Sequence, residues 1–109
     1  MLTRARLFRQ NEGMTVEELR TEKRGQVLRL AAEYGARNAR VFGSVARGES
    51  KADSDVDFLV DLDTDRTLMD LGGLVTELQD LLHARVDVAT VPMLRPKVRA
   101  RALHEAVPL

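Results

Sequence analysis

The chain has 109 residues, 44% of them apolar and 31% charged, and it contains no cysteine. That length supports one modest hydrophobic core and is too short for two, so any site must be built on a single core. Lys plus Arg and Asp plus Glu both total 17, which removes overall charge as an argument for nucleic acid or an anionic membrane as the main partner.

The neutral total hides an asymmetry. Residues 1–40 carry nine basic and five acidic side chains, a balance of +4, whereas residues 41–109 carry eight and twelve, a balance of −4. The lack of Cys excludes disulfides, thiolate metal sites and cysteine nucleophiles, and it fits a reducing compartment. No apolar stretch approaches the twenty residues of a membrane span, and no charged start precedes an apolar block as in a signal peptide. A soluble cytoplasmic protein is expected, with no membrane association and no direct nucleic-acid binding.

In chain order, residues 1–13 (MLTRARLFRQNEG) are basic and lack a clean period, and they read as a flexible N-terminal arm; residues 14–109 read as one domain. Thr15 and Glu18 are spaced as a capping box for a helix running towards Tyr34, with Val16, Leu19, Val27, Leu30, Ala31 and Tyr34 roughly on one face. Gly25 weakens its middle, and Gly35 supplies a stop signal. Residues Ala39 to Phe42 (ARVF) form a short strand that ends at Gly43, where a missing side chain permits a sharp turn and leaves room for an incoming phosphate. Ser44 can begin the helical turn that follows, offering a hydroxyl and backbone N–H groups to an anion such as the outer phosphates of a triphosphate.

Ten residues separate Ser44 from DVDFLVDL, Asp55 to Leu62, which reads as a second strand. Asp55 and Asp57 are two apart on it and project from the same face. Gly-Ser sits at the end of one strand and Asp-x-Asp at the start of the next, so both reach one site only if the strands run antiparallel. Asp61, Asp63 and Asp65 then read as solvated loop charges, followed by a helix from about Leu68 to His83 with Leu71, Leu74, Val75, Leu78, Leu81 and Leu82 on its inner stripe. Arg85 to Val91 (RVDVATV) is a third strand, and Asp87 is its one acidic residue. Pro92 and Pro96 bracket the start of a last helix, on which Val98, Ala102, Leu103 and Ala106 are expected to pack inward. Arg95, Lys97, Arg99 and Arg101 point around that helix as a solvated surface, with a partner-facing or RNA-facing role as the alternative. His83 and His104 lie near helix ends, in dipole-compensating or surface positions.

Paired carboxylates this close repel unless a proton or a cation neutralises them. Mg²⁺ suits such a site, because it takes hard oxygen ligands and commonly binds one or two carboxylates together with substrate phosphates. If the third strand neighbours the second, Asp87 joins Asp55 and Asp57 around the same ions; the alternative leaves it facing solvent on an edge strand. In a two-metal site the ions clamp the attacking and leaving oxygens of an in-line displacement at phosphorus, and a third carboxylate can orient or deprotonate the attacking hydroxyl.

Gly-Ser, ten residues, Asp-x-Asp and a later strand aspartate together resemble the nucleotidyltransferase superfamily that includes DNA polymerase β and the aminoglycoside nucleotidyltransferases. More closely, RVFGSVARGESKADSDVDFLVDL resembles the minimal nucleotidyltransferases, the MNT-type antitoxins encoded beside HEPN-domain toxins, and the likeness runs from about Met14 to the end of the chain. The resemblance implies Gly43 and Ser44 on the phosphates, Asp55 and Asp57 on two Mg²⁺ ions, and Asp87 completing the metal site. Arg47 would lie near the phosphates as a charge partner, or be a plain surface residue.

The expected architecture is α/β (α+β), a small three-stranded mixed sheet flanked by about four helices in the order αβαβαβα. No residues remain for the additional domain with which larger relatives grip an acceptor, so the acceptor must lie on another molecule. The expected function is transfer of a nucleoside monophosphate, AMP from ATP, to a hydroxyl, a tyrosine, of a cognate HEPN ribonuclease toxin. A binding-only antitoxin acting by stoichiometric complex formation is the alternative, and a small-molecule nucleotidyltransferase is a third.

Overall fold

In a computed structural model that describes residues 13–109, Thr15 opens the first helix as its N-cap, its hydroxyl oxygen accepting from the Glu18 N–H at 3.1 Å. The expected arm lies outside the described residues except for Gly13. The helix runs through Val16–Glu18, a π-helical turn at Leu19–Lys23, and Arg24–Glu33; we call the whole α1. Leu19, Val27 and Ala31 are its buried residues, and Gly35, at φ +73°, follows its end.

Strand β1 spans Ala36–Phe42, longer than expected, and carries a register shift between Arg37 and Arg40 at Asn38, whose φ of +54° is left-handed. It leads directly into a single helical turn, α2, at Gly43–Ala46. Strand β2 is Val56–Leu62, followed by helix α3 at Leu68–Leu82. A capping box starts α3: Thr67 Oγ1 accepts from the Met69 N–H, while Asp70 Oδ2 accepts from the Thr67 N–H at 2.8 Å. This arrangement satisfies amides that the first turn of a helix leaves unpaired. His83 closes α3 in the left-handed conformation. Strand β3 is Val86–Ala89, a 3₁₀ turn follows at Val91–Met93, and helix α4 runs Pro96–Glu105 with Pro96 in its first turn.

The sheet order is β3-β2-β1-β4. β1 and β2 are antiparallel and β2 and β3 parallel, so the sheet is mixed as expected. It gains a fourth strand, β4 at Val107–Pro108, antiparallel to β1. Two residues, one of them proline, carry no alternation for a sequence pattern to reveal. Arg20 Nε and Nη2 donate to the Pro108 carbonyl at 3.1 and 2.7 Å, tying α1 to β4.

Alternation along the strands separates the two faces of the sheet. Val56, Phe58 and Val60 of β2 and Val86 and Val88 of β3 join Leu71, Leu74, Leu78 and Leu82 of α3 and Val27 and Ala31 of α1 in one core. The α1 and α3 helices cross closely at Gly73, where a Cβ would come within 2.5 Å of the Tyr34 ring. Leu59 and Ala102 are also buried but lie outside that cluster. They mark the second face, over which α4 lies against β1 and α2. The expected inward packing of α4 is corrected at two positions: Val98 is 47% and Leu103 48% exposed, and Ala102 is the one residue of α4 that is buried. The second face offers α4 little apolar strand surface, because its other positions on β2 are Asp57 and Asp61. No helix among the described residues is long and apolar enough to cross a membrane.

Candidate active site

The antiparallel pairing of β1 and β2 sets Phe42 opposite Asp57, so the last residue of one strand meets the acidic start of the next. Gly43 then turns the chain at φ +72°, a conformation that favours glycine. A Cβ there would lie 2.4 Å from Asp57 Oδ2. Glycine is therefore required twice, by the backbone and by the carboxylate pressed against it. Ser44 follows within α2, whose first amides have no intrahelical acceptor.

On the other side of β2, the parallel register pairs Asp57 with Asp87. Residues paired in this way project from the same face of a sheet, about 5 Å apart along the strand-to-strand direction. Asp55, expected to open this strand, instead lies just before it, because β2 begins at Val56. The structure thus brings the Gly43-Ser44 turn, Asp57 and Asp87 to one end of the second face, with Asp87 on the strand beside Asp57 and Asp55 just outside the strand.

The charges respond to this crowding. Burial is the largest influence on the Asp57 carboxyl, followed by the negative charges of Asp87 and Asp55, and together they push it up to about 6 against the opposing pull of Arg47. Asp55 is turned towards Arg85, whose Nε lies 3.0 Å from its Oδ1, and Arg85 also donates to the Asp53 carbonyl. In this arrangement no three His, Cys, Asp or Glu side chains among the described residues close tightly enough to hold a metal ion. The chemistry of the donors nevertheless suits a divalent cation: they are hard oxygens only, and the Asp57 carboxyl is raised by burial and by the negative charges of Asp87 and Asp55. Asp55, Asp57 and Asp87 are the residues that would hold it.

Arg47, at the end of α2, reaches two carboxylates. Its Nε bonds Glu49 Oε1 at 2.9 Å, and its Nη1 bonds both oxygens of Glu105 at 3.2 and 3.1 Å. These partners hold the Arg47 guanidinium above its ordinary basicity. Sequence reasoning missed Arg85, Glu49 and Glu105. A signal existed for two of them: Arg85 is two residues before Asp87 and so shares its side of the strand, and Glu105 is the one acidic residue of an otherwise basic α4. Asp61 lies within β2 rather than in a loop; Arg40 holds it at 3.0 Å and Arg37 holds Asp63 at 2.7 Å, and both carboxylates stay solvent-exposed at the end of β2 away from the site.

A mixed sheet with a glycine turn and strand-borne carboxylates on its open face places the chain in the class of folds that carry nucleotidyl transfer. The chain belongs to the nucleotidyltransferase domain family, whose model matches residues 24–109. It is 36% identical over 94 residues to the protein adenylyltransferase MntA of Thermococcus cleftensis, a match covering 86% of this chain and 95% of that protein. A solved structure of a candidate minimal nucleotidyltransferase is similar with a TM-score of 0.77 at 47% identity, covering 89% of this chain and 98% of the other. A toxin-antitoxin crystal structure with AMP-PNP shares the fold, with a TM-score of 0.67 over 77% of this chain and 69% of that one, at 16% identity.

Proposed function

We propose that this chain is an MNT-type antitoxin that transfers AMP from ATP to a hydroxyl of a toxin partner, with a tyrosine of a HEPN ribonuclease as the acceptor. The observation that carries the reading is the in-register pairing of Asp57 with Asp87 beside the Gly43 turn, against which the Asp57 carboxylate is packed. The name and activity of the MntA relative, and the nucleotide in the toxin-antitoxin neighbour, support it. A cytoplasmic setting, where ATP and a ribonuclease toxin meet, goes with this reading.

In the reaction, the acceptor hydroxyl oxygen attacks the α-phosphorus, the bond from that phosphorus to the bridging oxygen breaks, and pyrophosphate leaves. Gly43 and the first amides of α2 receive the outer phosphates, with Arg47 beside them. Asp87 orients the attacking hydroxyl and accepts its proton. Asp55, Asp57 and Asp87 would hold two Mg²⁺ ions, which would supply charge neutralisation on the phosphates. Such a transfer depends on positioning and electrostatics more than on covalent chemistry, which suits so small a frame. Incubation with the toxin partner, Mg²⁺ and α-labelled ATP is expected to label the toxin, and an unlabelled toxin would overturn the enzymatic reading. Asp57→Ala is expected to abolish the label while leaving the fold intact.

One observation favours a second reading, neutralisation by binding alone: Asp55 is already paired with Arg85. Undiminished neutralisation by the Asp57→Ala variant, with ATP withheld, would establish it.

A further inference from the structure

We propose that Glu105 is a positioning residue of the nucleotide site: from the end of α4 it holds the Arg47 guanidinium beside the Gly43 turn, where Arg47 takes a phosphate oxygen in place of Glu49. This inference rests on the nucleotide-transfer reading above and adds to it a residue far along the chain.

The two carboxylates on Arg47 are not equivalent. The Glu105 side chain is 16% exposed and engages Nη1 with both oxygens, whereas the Glu49 side chain is 65% exposed and engages Nε with one. An ion pair partly withdrawn from water is costly to leave half-made, while an exposed pair is screened and contributes little. Glu105 is therefore the lasting partner and Glu49 the exchangeable one. Charge leads to the same division: two carboxylates against one guanidinium leave a net negative group, and an incoming phosphate is accommodated once Glu49 departs. The Glu105 carboxylate then keeps the guanidinium in place with its remaining donors directed to the anion.

The backbone around Glu105 is fixed well enough for this task. Ala106 donates to the Ala102 carbonyl at 2.8 Å, ending α4, and the next residue, Val107, pairs with Val41 of β1. Val41 lies two residues before Gly43, which follows directly on the end of β1. Glu105 and the phosphate turn are thus attached to one frame, and α4 touches α2 itself. Arg47 caps α2, its N–H donating to the Gly43 carbonyl at 3.1 Å, so its backbone is held at the phosphate turn rather than at a remote surface.

The test is calorimetric titration of magnesium AMP-PNP into wild type, Glu105→Gln, Glu49→Gln, Arg47→Gln and the Arg47→Gln/Glu105→Gln double variant, with circular dichroism confirming that each is folded. E105Q and R47Q are each expected to weaken binding about fivefold to tenfold. The double variant is expected to be no weaker than R47Q, because Glu105 acts through Arg47, and E49Q is expected not to weaken binding. A folded E105Q that binds within about twofold of wild type, or an E105Q effect that persists on the R47Q background, overturns the proposal. A wild-type chain that takes up no nucleotide removes the nucleotide reading itself, whereas normal wild-type binding with an indifferent E105Q removes this inference alone.

Discussion

Asp57 lies opposite Asp87 in the parallel register of β2 and β3, with the Gly43 turn pressed against its other side. Burial and two like charges act on one carboxylate, so the folded protein carries a standing electrostatic cost at its site.

That cost is expected to appear in the pH dependence of stability. Asp57 is raised from 3.8 to about 6 by folding, so between these values the folded state holds more proton than the unfolded one. Its contribution therefore falls as pH rises from about 4 to about 6 and is flat above about 7. Asp57→Asn removes the charge. After allowance for its partial solvent access, the variant is expected to gain about 1 kcal/mol at pH 7.5 and to lose the gain near pH 4, as read by thermal melts across pH. Nucleotide transfer is expected to vanish in the same variant.

Gly43→Ala places a Cβ 2.4 Å from Asp57 Oδ2 at a φ of +72°. A left-handed alanine alone costs about 1–2 kcal/mol, and the displaced carboxylate adds loss of transfer. Denaturant melts and the labelling assay measure the two effects separately.

Arg85 is the counter-charge for Asp55 at 3.0 Å, on a pair whose side chains are both largely exposed. Arg85→Gln is expected to change stability by less than about 0.5 kcal/mol. It is expected to tighten binding of Mn²⁺ in the absence of nucleotide, because Asp55 no longer has a competing cation. Calorimetry with Mn²⁺ alone checks this, and unchanged binding would count against Asp55 as a ligand.

Leu74 of α3 has 0% exposure in the core beneath β2 and β3. Leu74→Ala is expected to cost about 2–5 kcal/mol in urea melts.

Features with a local cause were legible in the sequence. The Thr15 cap, the Leu71, Leu74, Leu78 and Leu82 stripe, and the Asp55-x-Asp57 pair each follow from spacing within a short stretch of chain, and the antiparallel relation of β1 and β2 followed from the need to bring Gly43 to Asp57. Features made between distant elements were not. β4 is defined by its pairing with Arg40 and Val41 rather than by any period of its own. Val98 and Leu103 looked inward on a helical wheel, yet α4 rests on a face that presents Leu59 amid aspartates, so Ala102 alone is buried there. Glu105 and Arg85 were passed over because their partners, Arg47 and Asp55, are 58 and 30 positions away.

The two halves of the acidic face reach it by different routes. Gly43 and Asp57 are delivered by neighbouring antiparallel strands, whereas Asp87 arrives only after the chain has crossed over through α3. Loosening the crossover, as in Leu74→Ala at moderate urea, should release β3 amides to hydrogen exchange ahead of those shared by β1 and β2. Partial unfolding would then split the acidic face: a chain in that state keeps Gly43 against Asp57 while having released Asp87.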